Sequence, residues 1–283
     1  MRADQLLVER GLAASRSQAM RLIAGGVRWR EASAAAWRTI GKGGEELPAA
    51  AQLELADAAE ARYVSRGGLK LEGALADAGL DPRGWRCLDV GQSTGGFTDC
   101  LLQRGAQQVV GVDVGHGQLH ARLRADTRVT VIEKCNARTL SAAVLAAHGV
   151  HDARFDLIVG DLSFISLTLV LPALVPLCAP GGALLMLVKP QFELQPGQIG
   201  KGGIVRDASL YAAVEQRLRT ACASQNLHVA GWYPSAIVGG DGNREFFIQA
   251  TPDESARAGA PEFAPGREEL VQRRLHIVQD TED

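Results

Sequence analysis

From Tyr63 onward, short apolar runs of strand type alternate with helical stretches, and no other feature of the chain restricts its fold as much. The runs fall at residues 86–90, 109–114, 129–133, 155–159, 183–188, 229–237 and 245–250. Such alternation predicts a mostly parallel sheet with helices on both faces, because each apolar strand face has to be buried under something. Residues 58–62 read as a short connector in front of this region. The 283 residues therefore divide at about 60 and 250 into a small first domain, a large α/β domain and a tail at 251–283. The tail is rich in Pro, Ala, Gly and acidic residues, with one amphipathic stretch at 267–278, and is expected to be loosely ordered.

The strongest local signal is Cys87-Leu88-Asp89-Val90-Gly91-Gln92-Ser93-Thr94-Gly95-Gly96-Phe97-Thr98-Asp99, an apolar strand that enters a glycine-rich turn and then a helix. Glycines let the backbone close tightly around a ligand. Taken alone, the turn suits a dinucleotide or nothing at all, since a tight strand-to-helix turn needs glycine anyway. Two features discriminate. Asp113 ends the following strand about twenty residues on, where a carboxylate accepts hydrogen bonds from ribose hydroxyls. The turn also lacks the three-glycine fingerprint that packs a pyrophosphate on a helix N-terminus, and no Walker lysine follows. A nucleoside cofactor without phosphates fits better than NAD or ATP.

This segment resembles the first motif of class I methyltransferases, which implies S-adenosylmethionine as cofactor. The resemblance gives a cofactor set of Asp89, Gly91, Ser93, Gly95, Phe97, Asp113, Asn136 and Asp161, with Asp113 on the ribose and Asn136 near the adenine. Asn136 is equally well read as a simple turn-former.

At the other end of the chain, Ser15-Arg16-Ser17-Gln18 forms a capping-box pattern, which predicts a helix to Ile23 that Gly25-Gly26 ends. Asp4 is placed to cap a shorter helix running toward Gly11. Through Lys42 the basic residues exceed the acidic ones by five, although the whole chain carries a formal net charge of -2. Phosphate binding needs local positive charge, so the distribution matters more than the total. Asp4 to Leu12, Ser15-Arg16, Ala19, Leu22-Ile23 and Gly25-Gly26-Val27 together resemble the alpha-L RNA-binding motif of ribosomal protein S-four, departing from it after Val27 at Trp29-Arg30-Glu31-Ala32. The implied RNA contacts are Arg2, Arg16, Arg21 and Arg28, with Arg66 from the next domain; a solvated helical hairpin is the plain alternative.

Cys87, Cys100, Cys135, Cys178 and Cys222 are dispersed without a CxxC pair, so neither a disulfide framework nor a zinc site is indicated, and a reducing cytoplasm is expected. The longest strongly apolar run, 183–188, is far shorter than a membrane span, and no signal-peptide core opens the chain. Membrane insertion and secretion are poor readings.

The expected fourth strand ends at Asp161-Leu162-Ser163-Phe164. Methyltransferases acting on planar amino groups place two prolines between the polar residue and the aromatic; their absence here argues against base N-methylation. The fifth strand ends in Leu187-Val188-Lys189-Pro190-Gln191-Phe192-Glu193, which puts a lysine where an apolar strand emerges, and such a lysine is costly unless paired or useful. Ser65-Arg66-Gly67-Gly68-Leu69-Lys70 and Gly239-Gly240-Asp241-Gly242-Asn243-Arg244-Glu245-Phe246-Phe247 complete the set. Together these segments resemble the TlyA family and its FtsJ-like ribose methyltransferase relatives from Tyr63 to about Ala250. The resemblance implies a Rossmann-like class I methyltransferase with a mostly parallel seven-stranded sheet, preceded by a small α+β alpha-L RNA-binding domain. It maps a catalytic tetrad onto Lys70, Asp161, Lys189 and Glu245, and implies rRNA or ribosomal subunits as partner and a cytidine 2′-hydroxyl as acceptor. Lys189 is then the candidate base, oriented by Asp161 and Glu245. Those carboxylates favour its ammonium, whereas Lys70 and the cofactor's sulfonium favour the amine, so cofactor binding is expected to help deprotonate it. Arg66, Phe164 and Phe192 are candidates for touching RNA, with core packing the favoured role of the two phenylalanines. Two other readings follow from the same residues: a noncatalytic RNA-binding or ribosome-assembly factor that keeps the fold, and a membrane-active haemolysin.

Overall fold

The structure is a computed structural model that describes residues 1–13, 15–31, 35–55, 62–239 and 242–253. The expectation of a loosely ordered tail lies outside these residues.

The chain opens with two short helices, α1 (Ala3–Glu9) and α2 (Arg16–Gly26), followed by β1 (Val27–Arg30), β2 (Arg38–Thr39) and β3 (Gln52–Leu55), which form an antiparallel sheet in the order β2-β1-β3. Leu6, Leu7, Leu22, Ile23, Val27 and Trp29 pack into a hydrophobic cluster of their own. Ser15 caps α2 by accepting from the Gln18 amide nitrogen at 3.2 Å, and Gly26 closes the helix at φ +103°. Asp4 is not a cap. Arg2 precedes the first helical residue, and the Asp4 carboxylate, 2% exposed, instead receives the guanidinium groups of Arg2 and Arg16. Those two charges account for its burial and hold it well below the usual carboxylate range.

Residues 62–252 hold the α/β fold. In chain order come α3 (Gly67–Asp77), β4 (Arg86–Val90), α4 (Gly96–Gln103), β5 (Gln108–Val112), α5 (Ala121–Arg124), β6 (Val129–Ile132), α6 (Ala142–Ala147), β7 (Phe155–Gly160), α7 (Leu171–Leu174), β8 (Cys178–Val188), α8 (Pro190–Glu193), α9 (Leu210–Ser224), β9 (Leu227–Pro234) and β10 (Phe246–Pro252). The seven strands lie in the order β6-β5-β4-β7-β8-β10-β9. The first five are parallel, and β10 runs antiparallel to both neighbours. The central strands are apolar throughout because both sheet faces are covered, as the two large clusters on either side show. β8 begins at Cys178, five residues ahead of the expected start. Cys178 pairs with Phe155 across a register irregularity, and glycine at 182 permits the approach, since a Cβ there would stand 2.9 Å from the Phe155 and Asp156 carbonyl oxygens.

Strand order reverses between β4 and β7. At such a switch point the loops leaving neighbouring strands part and open a crevice beyond the strand ends. Here the loops that part begin at Gly91 and Asp161.

Candidate active site

The β4–α4 turn is shaped by two glycines, Gly91 at φ +86° and Gly95 at φ +96°. A Cβ on Gly91 would lie 2.7 Å from the Asp161 carbonyl oxygen, and one on Gly95 would meet Leu123 and Leu119 at 2.4 and 2.7 Å. Only glycine satisfies both the conformation and the space. Beneath the turn, the fully buried Asp89 accepts from Thr98 Oγ1 at 2.7 Å, and Thr98 Oγ1 accepts in turn from Gln92 Nε2 at 2.9 Å. Burial pushes the Asp89 carboxyl up to about 7, against the pull of the Thr98 hydrogen bond, with Asp161 and Asp113 adding to the rise. Asp89 thus supports the turn from below and lines neither lobe of the cavity above it.

That cavity has two lobes, which share Gly91, Ser93, Asp161 and Ser163. The larger, about 530 Å³, is lined by Asp113 and Asn136 together with apolar Val112, Val114, Leu162 and Ile165. The Asp113 carboxylate is fixed by the amides of Ser93 and Gly115, each at 2.7 Å. Asn136 accepts from the Arg138 amide at 3.0 Å while also lining the lobe, so its turn-forming and wall-forming roles coincide. Apolar walls with a carboxylate and an amide among them fit a nucleoside. The smaller lobe, about 280 Å³, is lined by Ser65, Gly67, Phe97 and Lys189 beside the shared residues.

Lys70, Asp161, Lys189 and Glu245 come together from four separate elements. Lys189, the residue after β8, places Nζ 2.6 Å from Asp161 Oδ1 and 2.8 Å from Ser163 Oγ. Lys70, on α3, meets Glu245, the residue before β10, at 2.5 Å. Burial pushes the Glu245 carboxyl up, and the attraction of Lys70 and then of Lys189 opposes the rise. Glu245 therefore hydrogen-bonds Lys70, and the direct partners of Lys189 are Asp161 and Ser163. Further along α8, the buried Glu193 accepts from Ser166 Oγ at 2.5 Å and the Leu167 amide at 2.7 Å, which bolts the loop after β7 to the segment carrying Lys189. Phe164 is not core. It is 91% exposed at φ +63°, touching Phe192 with ring centroids 5.0 Å apart, because the buried sides of the loop are taken by Ile165 and Leu167.

Residues 63–251 match the FtsJ-like methyltransferase family model. The chain belongs to the FtsJ-like methyltransferase family. It is 44% identical over 248 residues to the 16S/23S rRNA (cytidine-2′-O)-methyltransferase TlyA of Mycobacterium tuberculosis, covering 87% of this chain and 88% of that one. Hemolysin A of Brachyspira hyodysenteriae is 39% identical over 65% of this chain and 75% of its own. Among solved structures, a hemolysin from Streptococcus thermophilus aligns with a TM-score of 0.67 at 36% identity, covering 100% of this chain and 98% of that one.

Other features of this FtsJ-like chain were silent in its sequence. Ser163 and Thr98 stand inside recognisable motifs, but only their hydrogen bonds reveal a task. Of the arginines read as RNA contacts, Arg2 and Arg16 share Asp4, Arg28 pairs with Glu54 at 2.8 Å, and Arg66 Nη2 donates to the Val238 carbonyl at 3.4 Å. Arg21 lies on α2, and its side chain falls outside the described residues. Among the described residues no helix is long and apolar enough to cross a membrane, and no group of three metal-ligating side chains is present.

Proposed function

We propose that this FtsJ-like enzyme moves a methyl group from S-adenosylmethionine to the 2′-hydroxyl of a cytidine ribose in rRNA, as free RNA or within a ribosomal subunit, in the cytoplasm. The observation that carries the reading is the Lys189–Asp161 pair on the wall of a nucleoside-sized cavity, next to a glycine turn that no other residue type could form. The TlyA relative, matched over most of both chains, supports the acceptor and the substrate.

The cofactor supplies a methyl group already activated on a sulfonium. The protein has to align the hydroxyl and take its proton. Gly91 and Ser93 form the cradle, Gly95 shapes the turn behind it, Asp113 and Asn136 form the nucleoside end, and Phe97 the wall of the smaller lobe. Lys189 is the proton acceptor at Nζ; Asp161 and Ser163 fix where that atom points. Lys70 and Glu245 set the field behind it. Arg2, Arg16, Arg21, Arg28 and Arg66 serve RNA phosphates, with residues 1–60 acting as the RNA-binding domain; even after pairing, Arg2 and Arg16 keep about half of their side-chain surface exposed for this.

Labelled-methyl transfer to purified rRNA and to ribosomal subunits, followed by mapping of ribose methylation, tests the proposal. Stoichiometric label on a cytidine 2′-oxygen is the expected result. Cofactor binding without transfer to any competent substrate would instead point to a noncatalytic assembly factor. Leakage of liposomes by the purified protein would revive the haemolysin reading.

A further inference from the structure

The solvent face of the small sheet is built from planar groups set side by side. Antiparallel pairing puts Arg28 opposite Thr39 on one side and Glu54 on the other, and Arg30 opposite Gln52. Continuing the β1–β2 register by one step brings Trp37 alongside Arg30. Alternation along β1 sends Val27 and Trp29 into the core and Arg28 and Arg30 to the outer face. The side-chain positions agree: the Arg30 guanidinium lies 4.4 Å from the centroid of the Trp37 ring, that of Arg28 lies 5.9 Å away, and Arg30 Nε donates to Gln52 Oε1 at 2.8 Å. An indole, a guanidinium and an amide thus cross the sheet in one row.

Trp37 is half-buried and takes no part in the cluster that holds this part of the chain together, whereas Trp29, eight residues earlier, is buried in it. That cluster gains nothing from an aromatic at position 37. A ligand with a π-face would gain more, since base–aromatic stacking and stacking on a guanidinium plane are how unpaired nucleotides are held without reading their sequence. On this face Arg28 and Arg30 stand against Glu54, a positive balance that suits a polyanion and disfavours a basic protein partner.

We propose that the outer face of β1 and its Trp37 neighbour form a stacking platform for an unpaired RNA base, with the Trp37 ring offering the plane, Arg30 packed over that ring, and Arg28, paired with Glu54, beside it. The platform rests on the RNA reading above and adds to it a subsite on the sheet, apart from the helical alpha-L pattern of α1 and α2.

The test measures binding of the full chain to purified rRNA and to salt-washed subunits at one fixed salt concentration, for the wild type, Trp37→Ala and Trp37→Phe. Calorimetry with S-adenosylmethionine on each variant reports folding and the cofactor site independently. The expected result is about five- to a hundredfold weaker rRNA binding for Trp37→Ala, binding within about twofold of wild type for Trp37→Phe, and unchanged cofactor affinity for both. The platform is overturned if Trp37→Ala binds rRNA like wild type, or if Ala and Phe weaken it equally. It is also overturned if the loss shows on subunits but not on naked rRNA, which would indicate a ribosomal protein as the occupant. A wild-type chain that neither binds nor methylates rRNA would sink the function it rests on, and a wild type that does both while Trp37→Ala is silent sinks the platform alone.

Discussion

The two lysine–carboxylate pairs of the site are chemically alike and differently placed. The side chains of Lys70 and Glu245 are 10% and 3% exposed, closed between α3 and the start of β10. Those of Lys189 and Asp161 are 13% and 26% exposed, and both line the cavity, with the Ser163 hydroxyl as a third partner. A pair that lines no part of the cavity can hold geometry and set a field. A pair at a cavity wall can exchange a proton with whatever enters. Identical residue types thus differ in whether they line the cavity, and the proposed roles, field for one pair and proton transfer for the other, follow that difference.

The largest effect should come from the open pair. Lys189→Ala is expected to lower methyl transfer by about a hundredfold to ten-thousandfold, the range for removal of a general base, while the unfolding midpoint and S-adenosylmethionine affinity change little. Near-normal transfer by a folded, cofactor-binding variant would reject the base assignment. The closed pair should respond in the opposite sense. Glu245→Ala leaves the Lys70 charge buried without its partner, which costs about 3–5 kcal/mol of stability, read as a lower midpoint in urea. Should Glu245→Ala prove stable but inactive, and Lys189→Ala unstable, the division into closed and open pairs is reversed.

How much of this was legible beforehand follows from where each constraint lies along the chain. The seven strands of the large sheet are readable because burial on both faces leaves runs such as 155–159 and 183–188 almost purely apolar. The four tetrad residues are readable because each stands in a local motif. Which lysine meets which carboxylate is not, since Lys70 and Glu245 are 175 residues apart and only the sheet order brings them together. Asp4 misleads for the same reason: near a helix start it reads as a cap, and its second partner, Arg16, sits on another helix. Phe164 misleads because an aromatic in an apolar motif defaults to core, and only the left-handed backbone there turns it outward.

Asp89 sharpens the comparison as a third carboxylate, closed like Glu245 but facing a hydroxyl in place of a lysine. Its carboxyl titrates near 3.8 in an unfolded chain and is pushed up to about 7 in the fold. Between those values the folded protein holds a proton that the unfolded chain has lost, so this residue makes stability fall as pH rises from about 4 to about 7, then level off. Asp89→Asn cannot titrate. The stability of this variant relative to wild type should therefore grow across that window by about 2–4 kcal/mol, whatever fixed cost the amide carries. Parallel stability curves for the two proteins would show that Asp89 is ionised in the fold like an ordinary carboxylate.

The smallest effect is expected at the most open side chain of the site. Phe164 is 91% exposed, and its ring has Phe192 beside it and no place in the core clusters, so Phe164→Ala should leave stability within about 0.5 kcal/mol of wild type. Its left-handed backbone would be held in either case by Glu193, which grips the same loop at Ser166 and Leu167. A residue that contributes nothing to stability yet is an aromatic at the mouth of the cavity should matter only once substrate is present. Phe164 lines the larger lobe, so the KM values for cofactor and rRNA should then rise while kcat at saturation stays near wild type, the reverse of the pattern at Lys189. If Phe164→Ala instead lowers kcat and leaves KM alone, the ring acts on the reacting geometry, and the boundary between binding and chemistry lies farther out than the Lys189–Asp161 pair.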